Sequence, residues 1–133
     1  MNTAAAMISA HPVDPSIPDV LAECIQACTD AALACTSCAD SCLAEDAVAE
    51  LRSTIRLAQD AADMCTTTAR FLSRLTETDG NLLRTILMLC RDFVATFAME
   101  AAHHADQYEH CSLAIQACRD CEEACQRLLP RPF

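Results

Sequence analysis

The stretch CTDAALACTSCADSC, residues 28–42, contains four cysteines at intervals of seven, three and four residues. The same intervals return in CSLAIQACRDCEEAC, residues 111–125. Because an α-helix returns to one face after three, four and seven residues, each quartet predicts a stripe of thiols along a single helix. Two such stripes, with eight sulfurs between them, indicate a site for a soft metal.

The composition of the 133-residue chain favours helices throughout. Gly80 is the only glycine, and β-branched and aromatic residues are few beside Ala, Leu, Asp, Glu and Arg. Such a composition disfavours strands and tight turns. The length suits one domain with a substantial core. The sequence therefore predicts a single all-α domain.

Four predicted helices follow an N-terminal arm, residues 1–14, which has no periodic apolar pattern and is expected to be loose. The helices are expected over about residues 16–44, 46–76, 82–103 and 106–129. Their expected N-terminal signals are Ser16 with Asp19, Asp46, and Asp106 with Glu109. Short loops between long helices favour antiparallel neighbours, so residues 15–133 predict an up-down-up-down four-helix bundle.

Bundle register brings the two thiol stripes together, because the first and last helices are then adjacent and antiparallel. The expected facing layers are Cys42 with Cys111, Cys35 with Cys118, and Cys28 with Cys125. Counting through the other two loops places three more thiols near the last layer: Cys24, Cys65 and Cys90. We therefore expect the densest thiol cluster, with sulfur from all four helices, at that end.

Metal binding explains eleven cysteines better than disulfides or core packing do. Helix neighbours four residues apart hold their Cβ atoms about 5–6 Å apart, whereas a disulfide needs about 3.8 Å. Cysteine can also serve as a small buried apolar residue, but Ala, Leu or Val would fill a core without the risk of oxidation. Thiolate softness narrows the metal mainly to Cu(I), Zn(II) or iron–sulfur clusters.

The position of the cysteines favours Cu(I) among these metals. Structural zinc sites usually gather ligands from two turns with C-x-x-C spacing, whereas both such pairs here lie inside predicted helices. Neither quartet has the compact run of a bacterial ferredoxin. Cu(I) accepts low coordination, and each bound ion neutralises thiolate charge that is costly to bury. A thiol-lined bundle core is therefore expected to hold several Cu(I) ions.

Charge and hydropathy exclude other classes of function. The formal net charge is −10, and the nine Lys and Arg residues are scattered, which disfavours nucleic-acid binding. No run approaches the roughly 20 apolar residues of a membrane span, and the first ten residues do not form a confident signal peptide. We expect reduced thiols in the cytoplasm. No phosphate loop or nucleophile motif indicates an enzyme.

Over residues 24–129 the chain resembles the copper storage proteins, four-helix bundles whose cysteine-lined cores hold many Cu(I) ions. The most specific segments are CIQAC at residues 24–28, CTSCADSC at 35–42, ADMC at 62–65, EHC at 109–111 and CRDCEEAC at 118–125. The resemblance to the cytosolic branch implies a homotetramer of bundles. It implies these copper ligands: Cys24, Cys28, Cys35, Cys38, Cys42, Cys65, Cys90, Cys111, Cys118, Cys121, Cys125, His104 and His110.

Several expected cysteines are replaced in this chain. The family's stripes would place cysteine at the positions of Ala31, Thr54, Ala61, Val94, Phe97, Ala101 and Ala114. We therefore expect a reduced copper capacity, with Phe97 occupying space that metal would otherwise use.

Three histidines, His103, His104 and His110, lie where the third predicted helix turns into the fourth. This is the end of the bundle opposite the dense thiol cluster. Neutral imidazole can accept Cu(I) and pass it to Cys38, Cys42 or Cys111. The family resemblance implies this loading role for His104 and His110, and no role is expected for His11.

Two other functions remain open from the residues alone. The first is a helical interaction module whose thiols sense zinc or an oxidant, which would bind few metals and change conformation. The second is an enzyme that reduces Cu(II) with thiols, which would require turnover.

Overall fold

The computed structural model describes residues 2–132, which form five α-helices, one short 3-10 helix and no strand. These elements are α1 Thr3–Ala10, α2 Pro18–Leu43, the 3-10 helix Val48–Leu51, α3 Arg52–Leu72, α4 Gly80–Ala101 and α5 Glu109–Leu128. Helix α2 packs against α3 and α5, and α4 packs against the same two helices. The all-α four-helix bundle is confirmed, with α2 to α5 as its helices.

The N-terminal arm is not loose where α1 forms. The Asn2 side chain accepts a hydrogen bond of 2.9 Å from the Ala5 amide and caps the helix. Ile8 is buried, and α1 packs on α2. The prediction of a loose arm was therefore wrong over residues 3–10. A helix this short is stable here because Asn2 caps it, Ile8 is buried, and α2 supplies the surface against which the helix packs.

Two expected capping residues do not begin helices. Asp46 lies before a 3-10 helix, and α3 begins only at Arg52. Helix α5 begins at Glu109, with Tyr108 rather than Asp106 at the cap position. These differences move helix ends but leave the core-facing positions unchanged, because the apolar period decides which face is buried.

The other helix ends differ from expectation by a few residues. Ile17 rather than Ser16 holds the cap position of α2, with Pro18 as the first helical residue. Helix α4 begins two residues before the expected Leu82, because the Asp79 carboxylate accepts hydrogen bonds from the amides of Asn81 and Leu82. In the described part of the chain, no helix combines the length and hydropathy needed to cross a membrane.

Candidate metal centre

All eleven cysteine side chains point into the bundle core and are free thiols. Four Sγ pairs join α2 to α5: Cys24 to Cys125 at 3.9 Å, Cys28 to Cys121 at 3.7 Å, Cys35 to Cys118 at 3.3 Å, and Cys38 to Cys111 at 3.9 Å. The predicted seam between the two stripes is confirmed. The Cys28 sulfur pairs with that of Cys121, one helical turn from the predicted Cys125, and the Cys125 sulfur pairs with that of Cys24, although the sulfurs of Cys28 and Cys125 also lie within 4.8 Å of each other.

The far-end cluster comprises Cys24, Cys28, Cys65, Cys90, Cys121 and Cys125. Four of its sulfurs, those of Cys28, Cys90, Cys121 and Cys125, all lie within 4.8 Å of one another. The Cys65 sulfur lies 3.9 Å from that of Cys90 and 4.0 Å from that of Cys121. Each of the four bundle helices therefore contributes sulfur to this cluster, as predicted.

The histidine-end cluster comprises Cys38, Cys42, Cys111 and His110, whose donor atoms lie within 4.8 Å of one another. The Nδ1 atom of His110 is 3.3 Å from the Cys38 sulfur and 3.7 Å from the Cys111 sulfur. Its Nε2 atom is 2.9 Å from Glu45 Oε2. With the Nε2 proton donated to that carboxylate, the Nδ1 lone pair faces the thiols.

Glu45 was not among the predicted site residues, although it follows Cys42 by three residues. It lies in the loop after α2 and reaches His110 at the start of α5. The Tyr108 ring stacks on the His110 ring with centroids 5.5 Å apart. The carboxylate and the aromatic ring together fix the orientation of the imidazole toward the thiols.

His104 does not belong to this four-donor group. It is half-buried in the turn between α4 and α5, where its carbonyl oxygen accepts hydrogen bonds from the amides of Gln107 and Tyr108. His11 accepts a hydrogen bond from the Val13 amide at Nδ1 and lies in the N-terminal segment. The structure therefore brings His110 to the thiols but not His104.

The seven positions at which the family resemblance predicts cysteine are all buried: Ala31, Thr54, Ala61, Val94, Phe97, Ala101 and Ala114. Phe97 is the bulkiest side chain among the fully buried residues. The Thr54 hydroxyl has no hydrogen-bond partner among residues 2–132. Apart from that hydroxyl, these seven positions contribute apolar groups to the core.

Burial and thiol hydrogen bonds shift the acidity of the two clusters in different ways. Burial raises the pKa of Cys38 and Cys111, and raises that of Cys42 to about 11. At the far end, hydrogen bonds from neighbouring thiols, first that of Cys121, lower the pKa of Cys90. A hydrogen bond with Cys125 lowers the pKa of Cys24 to about 5. Hydrogen bonds among the thiols, together with burial, raise the pKa of the other four far-end cysteines, Cys28, Cys65, Cys121 and Cys125. Most thiols of both clusters are therefore held in the protonated form.

These donor sets suit a soft, low-coordinate cation. Thiolate and imidazole both bind Cu(I), and sulfurs 3.3–4.0 Å apart can bridge neighbouring ions. A buried thiolate without a counter-charge is costly, so a bound cation stabilises the ionised cluster. Both clusters can hold more than one such ion if sulfurs are shared.

The profile of the copper storage protein family matches residues 18–130 of this chain. A structure of the copper storage protein Ccsp from Streptomyces lividans, loaded with 10 copper equivalents, is 43% identical and superimposes with a TM-score of 0.94, covering 96% of this chain and 98% of that one. A structure with five coppers, described as a cytosolic copper storage protein from Streptomyces lividans, is 46% identical with a TM-score of 0.84, covering 86% of this chain and 96% of that one.

A sequence relative from another organism is the uncharacterized cysteine-rich protein YhjQ of Bacillus subtilis. It is 31% identical over 105 residues, which cover 79% of this chain and 92% of that protein. The family profile spans the whole four-helix bundle and both thiol clusters. The chain therefore belongs to the copper storage protein family.

Proposed function

We propose that this protein stores Cu(I) in the cytosol by binding several ions to the thiolates of its bundle core. The observation that supports this most directly is the pair of buried four-donor groups, seven of whose eight donors are thiols. The proposed ligands are those expected from the sequence: Cys24, Cys28, Cys35, Cys38, Cys42, Cys65, Cys90, Cys111, Cys118, Cys121, Cys125, His104 and His110. Storage requires no turnover, and we propose no enzymatic activity.

Charge neutralisation explains how a buried thiol core can be filled with metal. At neutral pH most of these thiols are protonated, because burial keeps the pKa of residues such as Cys38 and Cys42 above its usual value. Each Cu(I) that binds displaces protons and leaves a thiolate paired with a cation. Capacity is therefore governed by the number of sulfurs close enough to share ions.

His110 is the donor through which we propose that copper reaches the core. The His110 side chain is 23% exposed, whereas the residues Cys38, Cys42 and Cys111 are at most 1% exposed. Glu45, 31% exposed, holds the far side of the imidazole and adds negative charge where a cation would arrive. His104, in the adjacent turn, is proposed as a second donor on the family resemblance alone.

Anaerobic titration tests the storage function. The protein is titrated with Cu(I) in the presence of a chromophoric Cu(I) chelator, and native mass spectrometry counts the ions on each chain. We expect several tightly held ions per chain, and saturation at one weakly held ion or fewer would contradict storage. Saturation at one or two Zn(II) ions with a change in helicity would instead favour a zinc-sensing or redox-sensing module.

Replacing His110 with Ala is expected to slow copper loading without removing the far-end sites. We expect at least about tenfold slower loading, since even residues that only orient a metal ligand contribute tenfold or more. The rate is followed by stopped-flow absorbance of thiolate-to-copper charge transfer. His11→Ala is the matched control and should load at the wild-type rate. Equal rates for the two variants would exclude His110 as the loading donor.

A homotetramer of bundles is also proposed from the family resemblance. Helix α4 presents exposed apolar side chains at Leu82, Leu89 and Met99, which a neighbouring bundle would cover. Light scattering distinguishes four associated chains from one chain of 14.4 kDa.

A further inference from the structure

The two thiol clusters are joined by a single narrow connection. Of the eleven cysteines, six form the far-end cluster and three lie in the histidine-end cluster, which leaves only Cys35 and Cys118 between them. Their sulfurs are 3.3 Å apart and both residues are fully buried. Copper that arrives beside His110 must pass this level of the bundle to reach the far end.

The thiol ladder has different spacing on the two helices of the seam. On α2, Cys35 lies three residues before Cys38, which is about 4.5 Å along the helix axis toward the far end. On α5, Cys118 lies seven residues from Cys111, or about 10.5 Å along the axis. The position between them on the same face is Ala114, which is 1% exposed and has no donor atom.

The two remaining helices offer no thiol on the histidine side of this level. On α3 the buried residues before Cys65 are Thr54, Ala58, Ala61 and Ala62. On α4 the buried residues after Cys90 are Val94, Phe97, Ala98 and Ala101. A cation in that part of the core would be surrounded by apolar groups and the Thr54 hydroxyl, an oxygen donor that soft Cu(I) disfavours.

Copper moves between thiolates by ligand exchange, so the next sulfur must be close enough to bind before the previous one leaves. An uncoordinated cation in an apolar core is very costly. The gap of about 10.5 Å without a donor on α5 therefore raises the barrier to copper transfer along that helix. Steps of one helical turn along α2 and of 3.3 Å across the seam instead keep copper coordinated throughout.

We propose that Cys35 is the relay through which Cu(I) passes from the histidine-end cluster to the far-end cluster. The path runs from Cys38 to Cys35, across to Cys118, and onward to Cys121 and Cys65. In each step a new sulfur–copper bond forms as the previous one breaks, and the proton of the receiving thiol moves to the released thiolate. Copper remains Cu(I) throughout. This proposal rests on the proposed storage function.

The test compares loading rates of Cys35→Ala with those of Thr36→Ala, an exposed change beside Cys35 that leaves all eleven thiols in place. Anaerobic Cu(I) is mixed with each protein, and native mass spectrometry counts bound ions over time. For Cys35→Ala we expect rapid uptake at the histidine end, followed by filling of the far end about tenfold or more slowly, the effect of a barrier of about 1.4 kcal/mol. Thr36→Ala should fill both clusters in a single phase at nearly the wild-type rate.

A rescue variant separates the relay from loss of structure. Adding Ala114→Cys to Cys35→Ala places a thiol three residues after Cys111 and four before Cys118, which restores short steps along α5. The double variant should recover fast far-end loading. Circular dichroism checks folding, and refolding in the presence of Cu(I) should bring Cys35→Ala directly to the ion count that it otherwise reaches only after the slow phase.

Three results would overturn the relay. One is far-end loading of Cys35→Ala at the rate of Thr36→Ala. Another is an ion count after refolding with copper that stays at the level of the rapid phase, which would show that the far end does not bind copper without Cys35. The third is failure of Ala114→Cys to restore the rate. A wild-type protein that binds one ion or fewer would contradict the storage function itself, so the two failures are distinguishable.

Discussion

Loading the protein with Cu(I) is expected to raise the midpoint of its thermal unfolding by about 10–20 °C. A ligand stabilises the folded state in proportion to how much more tightly that state binds it. The eleven cysteines of the unfolded chain also bind copper. The shift in the midpoint therefore measures only how much more tightly the preformed clusters bind copper than the unfolded chain does. A hundredfold advantage at each of the two clusters contributes about 5 kcal/mol in total.

Differential scanning calorimetry under anaerobic conditions measures this shift in the apo and loaded protein. Removal of copper with a strong Cu(I) chelator should return the midpoint to its apo value. The variant Cys28→Ala/Cys121→Ala should lose about half of the shift, because it removes two of the four mutually close sulfurs at the far end. Ser112→Ala, an exposed change beside Cys111, is the control and should retain the full shift. An unchanged midpoint on loading would show that the clusters are not preformed for copper.

The helices and the thiol seam could be predicted because both depend on local period. The intervals of seven, three and four residues fix which face of α2 and of α5 bears sulfur, independently of the length and conformation of the loops. The exact partners could not be predicted in the same way. A stripe offers sulfurs at both three-residue and four-residue steps, so counting in sevens paired Cys28 with Cys125 alone, whereas the structure also places the Cys121 sulfur 3.7 Å from that of Cys28.

Helix α1 and the position of Glu45 could not be predicted because both depend on contacts between distant segments. Ile8 is buried only because α2 lies beneath it, although the Asn2 cap was a usable local signal. Glu45 and His110 are 65 residues apart in sequence and meet only when α2 and α5 are side by side. Their contact therefore requires the bundle to be known first.

The helix starts near Asp46 and Asp106 show a different limit of sequence reasoning. An acidic residue before an apolar run is a good capping candidate, but several nearby residues compete for the cap position. The structure places a 3-10 helix after Asp46 and the cap of α5 at Tyr108. Such errors affect helix ends and leave the metal-facing positions intact.

Replacing Phe97 with Ala is expected to lower the free energy of unfolding of the apo protein by about 3–5 kcal/mol. Phe97 is fully buried on α4, at a position where the family resemblance predicts cysteine. Removing its ring leaves a cavity that the surrounding helices can only partly close. Urea denaturation measures the change, with Leu113→Ala, an exposed apolar residue on α5, as the control that should change stability by less than about 0.5 kcal/mol.

The variant Phe97→Cys should separate stability from copper capacity, because it also removes the ring but adds a sulfur at a position where the family resemblance predicts a copper ligand. We expect the apo protein to lose about 2–4 kcal/mol, slightly less than for Ala because sulfur fills part of the cavity. We expect the loaded protein to hold at least one more Cu(I) per chain than wild type by native mass spectrometry. Leu113→Cys adds a thiol outside the core and should add no tightly held ion. A Phe97→Cys protein with unchanged capacity would refute the prediction that apolar residues at these positions limit storage.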